Sequence, residues 1–142
     1  MIWMPAVKMP NRASKQRRLE LTAVESGDPE GLSEVQRYAS LLRTELDRFV
    51  TALKEIGAQK IVLFGSYAQG RSDLYTDLDL FVVLESDLAF VARTAWLYQQ
   101  LAPRVACDIL AYTPKEWAVM QDRAFVRDAL RKGDVLYEEE RK

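Results

Sequence analysis

Residues Ile61–Leu84 read IVLFGSYAQGRSDLYTDLDLFVVL, and the way this stretch alternates apolar runs with chemistry-bearing turns decides the fold. Ile61, Val62, Leu63 and Phe64 form a short continuous apolar run stopped by Gly65 and Ser66, the pattern of a strand covered on both faces that ends in a turn. Leu78, Leu80, Phe81, Val82, Val83 and Leu84 make a second such run, with Asp77 and Asp79 at its entrance. Residues i and i+2 of an extended strand project to the same side, so the two carboxylates face one point. Like charges that close are unfavourable unless a cation lies between them. Glycine at position 65 lets the backbone turn sharply and approach a ligand, while the next amide and the Ser66 hydroxyl can donate to phosphate oxygens where a helix begins. Carboxylates, Mg²⁺ and a phosphate-binding turn are together the equipment of phosphoryl or nucleotidyl transfer.

A third apolar run, Val105 to Tyr112, contains Cys107 and Asp108. A carboxylate inside a buried strand is unfavourable without a partner, and a metal ion is the expected one. These runs predict an α/β fold, in which a small mixed sheet with central strands Lys60–Phe64, Leu78–Leu84 and Val105–Ala111 is backed by helices and gathers all three acids at one edge.

Gly65, Ser66, ten intervening residues and Asp77-Leu78-Asp79 resemble the GS(x10)DxD motif of minimal nucleotidyltransferases, small members of the DNA polymerase beta-like superfamily. Asp108 resembles the third acid of that family. The resemblance covers roughly residues 33 to 137. It implies that Asp77, Asp79 and Asp108 are the catalytic and metal-binding residues and that Gly65 and Ser66 hold the nucleotide. It further implies two Mg²⁺ ions and ATP as the substrate, with AMP passing to a hydroxyl acceptor. Proteins that resemble this one are often paired with a HEPN-domain toxin and silence it by adenylylating a tyrosine, so a HEPN-type toxin is the expected partner and the chain an antitoxin. Many relatives carry a basic residue in a GSxA(R/K)G arrangement where Gln69 stands here, and Arg71 is close enough in sequence to serve the triphosphate instead.

Two other readings belong to different classes. One is a non-catalytic antitoxin that neutralises its partner by binding alone, against which the retention of three acids with Gly65-Ser66 counts. The other is a small-molecule adenylyltransferase of the aminoglycoside-modifying type, which the lack of a second domain disfavours. The sequence leaves homo-oligomerisation open.

The remaining chain sets bounds on these readings. The 142 residues, 49% hydrophobic and 29% charged, suit one ordinary core. The formal net charge is −1, and beyond the first nineteen residues the balance is more acidic still, so the basic face that nucleic-acid binding needs is missing. With no histidine and one cysteine, His-based zinc sites, disulfides and Ser-His or Cys-His catalysis are excluded within this chain. No apolar run approaches the roughly 18 residues of a membrane span, and MIWMPAVKMP is interrupted by Pro5 and Pro10, unlike a secretory signal. A cytoplasmic location is expected.

Residues 1–32 read as a basic N-terminal arm, with Lys8, Arg12, Lys15, Arg17 and Arg18 arriving before the first acid, suited to an acidic partner or the nucleotide phosphates. Residues 33–137 form the expected domain and 138–142 a charged tail. Ser33 with Gln36 predicts a capping box, and Gly57 the left-handed end of a long helix whose apolar stripe runs through Val35, Tyr38, Leu42, Leu46, Phe49, Leu53 and Ile56. A helix from Leu88 to Leu101 is expected to be capped by Ser86 or Asp87, with Trp96 packed on the sheet. Thr113, Pro114 and Glu116 predict a further N-terminus. A last helix is expected near Asp122–Leu130, then an edge strand over Val135–Tyr137.

Overall fold

The computed structural model describes residues 33–140; the arm expected at 1–32 lies outside the described residues. Ser33 accepts from the Gln36 amide at 3.1 Å while the Gln36 side chain accepts from the Ser33 amide at 3.0 Å. This reciprocal cap opens helix α1, Glu34–Ile56, which Gly57 ends in the left-handed region at φ 111°. Tyr38, Leu42, Phe49 and Leu53 are its buried stripe. The expected stripe is corrected at its first member, since Val35 is 43% exposed: it lies in the first turn of α1, ahead of Tyr38, the helix's first buried residue.

Strand β1, Lys60–Phe64, runs straight into a one-turn helix α2, Gly65–Ala68. Strand β2 is Leu78–Val83, helix α3 Phe90–Leu101 and strand β3 Cys107–Tyr112. Helices α4, Pro114–Met120, and α5, Ala124–Lys132, precede strand β4, Asp134–Glu138. The four strands lie in the order β3-β2-β1-β4. β2 and β3 are parallel, and β1 is antiparallel to both β2 and β4. The result is the mixed sheet of the sequence expectation, with β4 as one short edge strand; β3, expected as a central strand, is corrected to the opposite edge, because only β2 pairs with it.

The period of two sorts the strands into two faces. Ile61, Leu63, Leu78, Leu80, Val82, Cys107, Ile109 and Ala111 pack with α1 and α3, whereas Val62, Phe64, Phe81, Val83, Leu110 and Tyr112 pack with Trp117, Met120 and Val126 of α4 and α5. The capping box at Thr113 and Glu116 forms as the sequence implies. The cap expected at Ser86 or Asp87 does not form. The Ser86 hydroxyl accepts from the Leu88 amide at 3.1 Å within a turn, and α3 starts only at Phe90 after an extended Ala89. Trp96 is also corrected: it is 37% exposed, because Arg93, Thr94, Leu97 and Tyr98 fill the buried face of α3. No described helix is long and apolar enough to cross a membrane.

Candidate active site

Strand register brings the singled-out residues to one end of the sheet. Asp79 of β2 pairs with Asp108 of β3 across the parallel ladder and with Phe64 of β1 across the antiparallel one. Asp77, one residue before β2, keeps the parity of Asp79, so Asp77, Asp79 and Asp108 all belong to the α4–α5 face. Because β1 runs the other way, its final residue hands the chain to Gly65 and Ser66 at this same end. The acids thus gather at the strand ends rather than along a lateral edge, as the inner position of β2 requires.

Gly65 shows how tightly the turn and the acids are joined. It has φ +77°, and a Cβ built there would overlap the Asp79 carboxylate. Only glycine fits both the left-handed backbone and the missing space. The turn and the carboxylate are therefore in direct apposition, which a spacing of fourteen residues in the chain does not by itself dictate.

Asp77 is placed by a folded loop. Asp73 accepts from the Tyr75 amide at 2.9 Å and from the Thr76 hydroxyl at 3.2 Å, and the Thr76 hydroxyl accepts from the Asp73 amide at 3.0 Å. Thr76 is fully buried, and its carbonyl accepts a 2.9 Å bond from the Tyr38 hydroxyl of α1. Asp77 thus leaves a fixed point. Arg71, whose amide bonds the Ser66 carbonyl at 3.0 Å, pairs through Nε with Asp73 at 2.7 Å. That pairing, with a smaller contribution from Asp77, raises the guanidinium pKa further. Gln69 is exposed beside it.

Asp108 is held from the other side. Tyr98 of α3 donates to the Cys107 carbonyl at 3.0 Å and accepts from the Ile109 amide at 3.2 Å, so one hydroxyl braces the outer edge of β3 on both sides of Asp108. Oδ1 of Asp108 is out of solvent. Burial first, then the charge of Asp108, pushes the Cys107 thiol up to about 12, with Asp77 and Asp79 adding to it. The single cysteine is therefore a neutral core residue, and its response to all three acids reflects their convergence.

Among the described residues no group of three or more Asp, Glu, Cys or His side chains forms a ready metal cage. Mg²⁺ rarely uses one: it takes one or two carboxylates and completes its shell with phosphate oxygens and water. The set of three aspartates beside a phosphate-sized turn fits an ion that arrives with a nucleotide.

Several structural residues here carry no local sequence signal. Glu45, buried on α1, receives Arg48 Nε at 2.6 Å and the Arg104 amide at 2.7 Å, while Arg48 donates to the Leu101 carbonyl at 2.6 Å. Burial would raise the Glu45 pKa, but Arg48 and the Arg104 amide hold it below its ordinary value. This network fixes the loop that leads into β3.

A family described as "Nucleotidyltransferase domain" matches this chain over residues 46–135. Among solved structures, a protein of Sulfolobus solfataricus assigned as a nucleotidyltransferase superposes with a TM-score of 0.45 at 15% identity, covering 82% of this chain and 87% of its own. A mutant of the toxin-antitoxin MntA-HpeT gives 0.45 at 24% identity, over 67% of this chain and 73% of that one. No curated protein matches.

Proposed function

From the premise that the chain belongs to the nucleotidyltransferase domain family, and is thus a nucleotidyl-transferring enzyme, we propose that it carries AMP from ATP to a hydroxyl of a protein partner. The observation that carries this reading is the apposition of Gly65 and Asp79, which puts amide and hydroxyl donors for phosphate beside carboxylates within one strand end. Gly65 and Ser66 bind the β and γ phosphates, and Arg71, close to them in sequence, shares their charge. Asp77 and Asp79 would hold two Mg²⁺ ions, with Asp108 completing the shell of one. When bound, the metal neutralises the triphosphate and makes its α-phosphorus more electrophilic. Asp108 orients the acceptor hydroxyl and takes up its proton on the carboxylate. The acceptor oxygen forms a bond to the α-phosphorus as the α–β bridge breaks, and pyrophosphate carries the electron pair away.

The partner is a toxin of the HEPN type and its acceptor a tyrosine. Support comes from the GS(x10)DxD spacing with a third acid. Co-expression with such a toxin tests it by intact mass. The expected result is a complex whose partner gains one AMP, with the gain lost in Asp108→Asn while the complex persists. A complex with no added mass in the parent protein would mean neutralisation by contact alone.

A further inference from the structure

Phe125 opens helix α5 with 57% of its surface exposed, yet its ring is held from behind. It meets Phe64 edge-on at 6.1 Å and 88° and Phe81 at 6.5 Å and 77°. Those two rings are buried and stacked on each other at 4.2 Å. Exposed apolar residues are ordinary when scattered singly, but the location of this one is specific. Phe64 is the register partner of Asp79 and the residue before Gly65. The Phe125 ring therefore touches the residue paired with Asp79, on the face to which all three acids belong. These near-perpendicular contacts fix the orientation of the Phe125 ring, and more than half of its surface stays open for stacking.

We propose that Phe125 is the platform on which the base of the bound nucleotide stacks. This inference rests on reading the carboxylate end as the nucleotide site. A stacking platform uses the π-face that every base has, rather than base-edge hydrogen bonds. It therefore adds affinity for a base, with the larger purines gaining most, and contributes nothing to a triphosphate without one.

The test compares Mg-ATP with Mg-tripolyphosphate by calorimetry on the full chain. Phe125→Ala is expected to weaken Mg-ATP about tenfold or more, the scale of one stacked base, and to leave Mg-tripolyphosphate unchanged. Phe125→Trp should bind Mg-ATP at least as well as the parent, which controls for any loss of folding in the alanine variant. Unchanged binding of both ligands by Phe125→Ala would overturn the platform while leaving the phosphate site standing. Equal weakening of both would overturn it too, because Phe125 would then act only through the fold. Failure of the parent protein to bind either ligand would overturn the nucleotide-site reading, and the platform with it.

Discussion

At the scale of single residues, the candidate site is built from groups whose chemistry is plain but whose proximity is created by folding. Gly65 must adopt φ +77° and leave room for the Asp79 carboxylate. In Gly65→Ala both conditions fail at once, and the left-handed backbone alone costs about 1–2 kcal/mol. Urea unfolding is expected to show at least that loss, and calorimetry a loss of Mg-ATP binding larger than the change in stability explains. Unchanged binding and stability would show that the apposition is relaxed in solution. The glycine, the serine and the paired aspartates were legible from the sequence because a turn and an i, i+2 spacing are local facts. That Gly65 abuts Asp79, that Tyr98 braces both sides of Asp108, and that Phe125 meets Phe64 depend on strand register and helix docking. None of these leaves a mark in neighbouring residues.

Among elements, the clamp between α3, β3 and α4 matters most for the C-terminal half of the fold. Arg93 is 2% exposed. Its Nη1 donates to Glu116 at 2.7 Å and to the Ala111 carbonyl at 2.8 Å, and its Nη2 to the Leu88 carbonyl at 2.8 Å. Glu116 also completes the cap of α4 through the Thr113 amide. Burial would raise the Glu116 pKa, but the bonds from Arg93 and Thr113 hold it below 4.5. A carboxylate with a depressed folded pKa contributes stability that is present in full above 4.5 and is lost as the pH falls through the lower folded value. Glu45 acts in the same direction on the α1 side. The urea midpoint is therefore expected to fall more steeply below pH 4.5. Glu116→Gln should cost roughly 2–4 kcal/mol at pH 7, because it leaves a buried guanidinium without its counter-charge, and should flatten that acid slope. An unaltered slope in the variant would place the acid sensitivity elsewhere. The two capping boxes were readable from Ser33–Gln36 and Thr113–Glu116 because capping is short-range chemistry. The start of α3, the exposure of Trp96 and the burial of Arg93 were not, since each is settled by which helix face meets the sheet.

For the whole molecule, the order β3-β2-β1-β4 is what brings three separate motifs to one end of the sheet. Parallel β2 and β3 present Asp79 and Asp108 side by side, and antiparallel β1 delivers the Gly65-Ser66 turn to the same end. The apolar runs announced three central strands and an edge strand, but strand direction is chosen by long-range pairing and was not written in any one run. Three aspartates and a triphosphate gathered in one place repel each other, so nucleotide binding should require a bridging divalent cation. The most direct measurement is a calorimetric titration of the full chain with ATP, in Mg²⁺ and again in EDTA. Saturable binding in Mg²⁺ with none in EDTA is expected; equal ATP affinity in both would contradict the account by removing the metal, and with it the role given to Asp77, Asp79 and Asp108.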